Sequence, residues 1–140
     1  MSADLDGGGL HARQVTLPCG PGAPALARAA VSVWLDGRAN GELHRDACLL
    51  VSELVTNSVM HAGQITGAPL QLRVSTGDGV VRFEVEDQGH DGAVARRAAS
   101  GDGGFGLQFL EQLAARWGVS HEHGTLVWFE LAAGAPAVRP

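Results

Sequence analysis

Seven apolar residues, Leu43, Ala47, Leu50, Val51, Leu54, Val55 and Val59, recur at spacings of three and four and predict a helix over about 43–61 with one face in a core. Gly63 marks its end. Two segments downstream alternate instead. Leu70, Leu72 and Val74 share one side with Gln71, Arg73 and Ser75 on the other, and after a turn at Gly77–Asp78–Gly79, Val81, Phe83 and Val85 alternate with Arg82, Glu84 and Glu86. That pattern predicts a two-stranded hairpin with one apolar face. Carried one step further, the alternation turns Asp87 toward the apolar side. A carboxylate aimed at a core needs a partner.

The remaining elements follow the same logic. A short edge strand is predicted over 13–17, and a helix over about 25–35 with Pro24 in its first turn and Leu26, Ala30, Val33 and Trp34 inward. A long Gly- and Ala-rich loop over 88–103 precedes a helix from about Gly104 to Trp117, with Leu107, Leu110, Leu113 and Ala114 inward. Two closing strands, 119–123 and 125–131, put Thr125 on the inward side with Val127, Phe129 and Leu131. The expected domain is 12–132, between flexible tails at 1–11 and 133–140. No internal repeat or second domain is evident.

Charge narrows the function. The 140-residue chain carries a net charge of −5, and all ten basic residues are arginine. They are scattered, with only Arg96 and Arg97 adjacent, so no basic face for nucleic acid is expected. Without lysine, neither a Walker-type phosphate loop nor a protein-kinase strand lysine can exist. Cys19 and Cys48 have no metal spacing and no disulfide framework. No apolar stretch approaches the ~20 residues that cross a bilayer, and the polar start lacks the regions of a signal peptide. A cytoplasmic, membrane-free protein is expected.

Three clusters carry candidate chemistry. Glu53, Asn57 and His61 lie at i, i+4 and i+8, a strip along the border of the apolar helix face. An Asn amide oxygen is a hard ligand suited to Mg²⁺, and Glu53 one turn away can take a proton from a hydroxyl or orient it. Asp87 suits the exocyclic amine of a purine, with Thr125 in support from a neighbouring strand. In Gly101–Asp–Gly–Gly104–Phe–Gly106–Leu107, glycines ahead of a helix leave N–H groups open to phosphate, and Arg96 and Arg97 sit in the preceding loop. His121 and His123 alternate along a strand, but no third ligand is evident nearby, so no zinc site is assigned.

In order, Glu53-x-x-x-Asn57-x-x-x-His61-Ala62, Asp87-x-Gly89, Gly104-Phe-Gly106-Leu107 and Gly124-Thr125 resemble the motifs of the GHKL ATPases. Within that superfamily the pattern is most similar to the small anti-sigma-factor serine kinases, over about 15–131. The resemblance implies an α/β two-layer sandwich of the Bergerat type, a mixed and mostly antiparallel sheet with helices packed on one face. It implies ATP and Mg²⁺, with Asn57 as metal ligand, Glu53 as catalytic base, Asp87 as adenine reader and Gly89 beside the base. Gly104 and Gly106 would hinge a lid on the phosphate side, with Leu107 following, and Thr125 would lie near adenine.

The expected activity is a protein serine/threonine kinase acting on a small antagonist protein, with a sigma factor as the other partner and a homodimer as the assembly. Two positions depart from the family pattern. Asp91 stands where a second glycine usually follows the aspartate motif, and Phe105 stands where many relatives carry Arg. An ATP-binding module that binds partners without transferring phosphate is the alternative. A detached sensor histidine-kinase domain is disfavoured, since no dimerising helix with an acceptor His precedes the domain.

Overall fold

The computed structural model describes residues 12–62, 68–88, 105–122 and 124–133. Five strands form one sheet: β1 (Ala12–Leu17), β2 (Leu70–Gly77), β3 (Val80–Asp87), β4 (Arg116–Ser120) and β5 (Thr125–Ala132), in the spatial order β1-β2-β3-β5-β4. Every pairing between these strands is antiparallel, which sharpens the expectation of a mixed sheet. The β2–β3 hairpin closes through Asp78 and Gly79, both at positive φ (54° and 77°), the backbone that a two-residue turn needs to match strand twist.

Among the described residues, three α-helices complete the sandwich: α1 (Ala23–Leu35), α2 (Gly41–Asn57) and α3 (Phe105–Leu113). α2 begins two residues earlier than the periodicity suggested. Asn40 caps it, its side-chain oxygen accepting the Leu43 N–H at 2.7 Å, so the helix starts ahead of its first apolar residue. At the other end, Thr56 Oγ1 donates to the Ser52 carbonyl at 2.8 Å, in competition with the helix's own hydrogen bonds. The helix then widens into a π-helical turn over Ser58–Ala62. Such turns are rare and frequently sit at functional sites.

The core lies between α1, α2 and one side of the sheet. Leu72, Val74, Phe83, Val85 and Phe129 rise from the strands to meet Val31, Leu50, Val51, Leu54 and Val55. Phe83 and Phe129 are cross-strand partners whose rings stack at 5.1 Å between centroids.

Two sequence expectations fail here. α1 buries Ala23, Ala27, Val31, Trp34 and Leu35, whereas Leu26 and Val33 are 49 % and 68 % exposed. Trp34 is inward as expected and Ala30 packs partly buried against the core, whereas Leu26 and Val33 face out. The segment is apolar nearly all round, so periodicity could not choose a side; small alanines were buried because they let α1 approach closely. Likewise α3 ends at Leu113 rather than Trp117. The Ala115 N–H leaves the helix to donate to the Glu130 carbonyl at 2.8 Å, and β4 starts at Arg116, so Trp117 pairs with Phe129.

Candidate functional site

Among the described residues, four buried ones are polar or charged: Asn57, Ser58, Asp87 and Thr125. Asp87 and Thr125 close one end of the inward sheet face, and Asn57 and Ser58 stand at the C-terminal end of α2. Asp87 is 2 % exposed and closes the inward face of β3, as the alternation required, and its direct cross-strand partner is Thr125, 1 % exposed. Leu17 pairs with Leu70 on the far side of the sheet, and continuing the β2–β3 register by one residue sets Leu70 beside Asp87. Leu17, Leu70, Asp87 and Thr125 thus form one row across four strands. A carboxylate in such a row is costly to desolvate and is retained where it can bind something polar.

α2 lies against β3 and β5 and brings the second half of the site. Asn57, 9 % exposed, is its last α-helical residue, and Glu53 is half-buried one turn earlier. α3 packs against α2 with Gly106 and Leu107 in its first turn. Gly89 and Gly104 lie outside the described residues, as do Arg96, Arg97 and His123. Within the described chain, then, Asp87 and Thr125 are direct neighbours, and the helix bearing Asn57 and Glu53 is packed over their strands.

The Gly124-Thr125 motif acquires a backbone reason: Gly124 has φ +113°, and a Cβ there would collide with the Asp87 carbonyl oxygen, so only glycine lets the two backbones meet ahead of the Asp87–Thr125 pair. Two features carry no reading in the sequence. Ser58 is buried next to Asn57; its spacing, seven past Val51 and four past Leu54, would have found it. Cys19 packs against the core two residues beyond Leu17. Burial pushes its thiol pKa above the ordinary value, and the negative charge of Asp87 pushes it further in the same direction.

The opposite side of the sheet has a different character. Arg73 bridges Glu84 and Glu86 at 2.9 and 2.8 Å, while Arg82 bridges Glu84 and Glu130 at 2.9 and 3.3 Å. Burial alone would raise the Glu84 carboxyl, but hydrogen bonds from Arg73 and Arg82 outweigh it and hold the pKa below the ordinary carboxylate value. Trp128 lies under the Arg82 guanidinium at 4.1 Å and near that of Arg116 at 5.7 Å. A Cβ on Gly118 would come within 2.7 Å of its indole nitrogen. A depression of about 360 Å³ on this side is lined by Gln14, Arg73, Arg82 and Glu84 and contains no residue of the candidate site.

Comparison with known proteins agrees with this architecture. Residues 19–131 match the model of the histidine kinase-like ATPase domain, and the chain belongs to that family. A solved structure of the RsbU and RsbW domains of a Mycobacterium tuberculosis protein superposes with a TM-score of 0.70 at 25% identity, covering 90% of this chain. The match spans 33% of that longer solved chain. No curated protein matches the sequence. The fold is therefore an ATP-binding, histidine-kinase-like ATPase fold similar to the RsbW domain. No helix among the described residues is long and apolar enough to cross a membrane.

Proposed function

We propose that the chain binds ATP at the Asp87 end of the sheet and transfers its γ-phosphoryl group to a serine or threonine of a small antagonist protein, in the manner of the anti-sigma-factor kinases it resembles. The observation that carries this reading is the buried Asp87–Thr125 pair at the end of an otherwise apolar sheet face, under the helix that carries Asn57. Asp87, ionised, would accept a hydrogen bond from the exocyclic amine of adenine, with Thr125 beside it and Gly89 near the base. Gly104, Gly106 and Leu107 would form the hinge of the phosphate lid at the start of α3, where free backbone N–H groups favour anions.

The donor set fits Mg²⁺. A single buried amide oxygen at Asn57 is what that ion requires of a protein when phosphate and water supply its other ligands. Among the described residues no cluster of three or more His, Cys, Asp and Glu competes for the role. When bound, the ion would neutralise phosphate charge that the chain cannot meet with lysine. Glu53, half-buried one turn from Asn57, would orient the attacking hydroxyl and take its proton, so that positioning and electrostatics do the chemistry. The partners of this reading are the antagonist and a sigma factor, the assembly a homodimer and the compartment the cytoplasm.

Asp91 and Phe105, where the family more often carries Gly and Arg, favour a second reading: ATP binding without transfer, used for partner contact. Calorimetric titration with ATP and Mg²⁺, comparing the native chain with Asp87→Asn and Asn57→Ala, tests the site first. Radiolabelled ATP with candidate antagonists then separates the readings. Transfer that disappears in Glu53→Ala, with ATP binding intact, supports the kinase; binding without transfer across the antagonists leaves the binding module.

A further inference from the structure

The flanks of α2 are committed differently. One is buried in the core. A second, carrying His44, Cys48 and Ser52 at spacings of four, is taken up by α1: Ser32 Oγ lies 3.0 Å from His44 Nε2 and 3.7 Å from Cys48 Sγ, and Arg28 donates to Ser52 Oγ at 2.8 Å. A third carries Leu49, Glu53 and Thr56 at spacings of four and three, and is continued by Met60, four residues on in the π-helical turn. Leu49 is 36 % and Met60 54 % exposed. Thr56 spends its hydroxyl on the Ser52 carbonyl at 2.8 Å, so what it adds to the surface of this stripe is apolar.

Single exposed apolar side chains are ordinary on a protein surface. Leu26 and Val33, exposed on α1, have no relation to the candidate site. Leu49 and Met60 do: they bracket Glu53 on its own stripe, one turn before it and two turns after it. We propose that this stripe is the docking track for the segment of the antagonist that carries the phospho-acceptor, and that Leu49 and Met60 select apolar residues on the two sides of the acceptor Ser or Thr.

The inference rests on the kinase reading above, in which Glu53 takes the proton of the acceptor hydroxyl. In that step the acceptor oxygen bonds the γ-phosphorus, the bond from that phosphorus to the bridging oxygen breaks, and ADP leaves. The helix then sets the spacing of the substrate. At about 1.5 Å per residue, Leu49 stands roughly 6 Å and Met60 roughly 10 Å along the axis from Glu53, in opposite directions. An extended segment rises about 3.3 Å per residue, so it meets Leu49 two residues from the acceptor and Met60 three residues from it on the other side. Apolar residues at −2 and +3 fit the track, or at +2 and −3 for a segment running the other way.

The test uses the full chain, radiolabelled ATP and Mg²⁺ with a library of short peptides that have a central Ser and one other position fixed at a time. The expected result is a preference for Leu, Ile, Met or Phe at the two-residue position on one side and the three-residue position on the other. Leu49→Gln should erase the first preference and Met60→Gln the second, each lowering kcat/KM about tenfold through KM, the scale of one lost apolar contact. Circular dichroism and calorimetric ATP titration of both variants should match the native chain. Val33→Gln, exposed but on α1, should change neither preference. Transfer without these preferences, or with preferences that survive both substitutions or vanish equally in Val33→Gln, overturns the inference and leaves the kinase reading standing. So does labelling of a folded antagonist but of no peptide. Labelling of neither removes the kinase reading and the inference with it.

Discussion

The two sides of the one sheet solve the problem of charge in opposite ways. Toward the helices, β3 and β5 present Val81, Phe83, Val85, Val127, Phe129 and Leu131, all buried, and then, in the last row, Asp87 beside Thr125. On the other side, Arg73, Arg82 and Arg116 interleave with Glu84, Glu86 and Glu130, with Trp128 beneath two of the guanidiniums. Charge that balances charge within one sheet is structural and of small individual worth. A carboxylate set into the end of an apolar face is a different object. It is 2 % exposed, and it is the residue to which the proposed function assigns the base of ATP.

Neighbouring residues with opposite orientation give the largest test of this contrast. Phe83→Ala should destabilise the fold by about 3–5 kcal/mol through lost burial and the cavity left beside Phe129. Arg82→Ala, one residue away on the other side, should cost about 1 kcal/mol or less in the same denaturant titration. Equal losses would break the distinction.

The functional half of the comparison turns on two carboxylates of β3. Asp87→Asn should weaken ATP binding by about 1–3 kcal/mol in calorimetry, the loss attached to a buried charged hydrogen bond. Glu84→Gln should leave it unchanged. A nucleotide effect from Glu84 would mean that the two sides of the sheet do not divide structure from function.

Gly118 sharpens the open side. Gly118→Ala drives a methyl into the Trp128 indole and should cost about 1–3 kcal/mol by overpacking, with a shift in tryptophan fluorescence as the ring leaves its arginines.

The smallest effects are in titration. Glu84 has a folded pKa below its ordinary value of 4.5, so its contribution to stability is present above that value and is lost as pH falls through the folded pKa. Acid unfolding followed at equilibrium should show this loss, and Glu84→Gln should remove it. Cys19 behaves in the opposite sense. Its folded pKa is raised, so its contribution holds at low pH and is lost as pH rises from the ordinary thiol value of 9.0 through the folded pKa. In a Cys48→Ser background, Asp87→Asn should move the alkylation profile of Cys19 to lower pH, because the charge is removed while the burial remains.

Strict alternation along β2 and β3 and the three-four spacing of α2 specified their faces, because a pleat and a helix each send a side chain inward at a fixed period. Asp87 and Thr125 could therefore be read as inward-facing from the chain alone, as could the stripe that carries Glu53 and Asn57. α1 could not be oriented this way. With Ala25, Leu26, Ala29 and Val33 as greasy as the residues actually buried, only the close fit of Ala23, Ala27 and Val31 against their surroundings decided which side went in. The end of α3 was likewise settled from outside, by the backbone of β5 taking the Ala115 N–H away from the helix. So too were the Asp87–Thr125 pairing and the meeting of Ser32 with His44 and Cys48, which depend on strand register and helix contact between segments far apart in sequence. Periodicity is a property of one segment and is written in it; pairing, close approach and convergence are properties of two, and only the folded chain supplies the second.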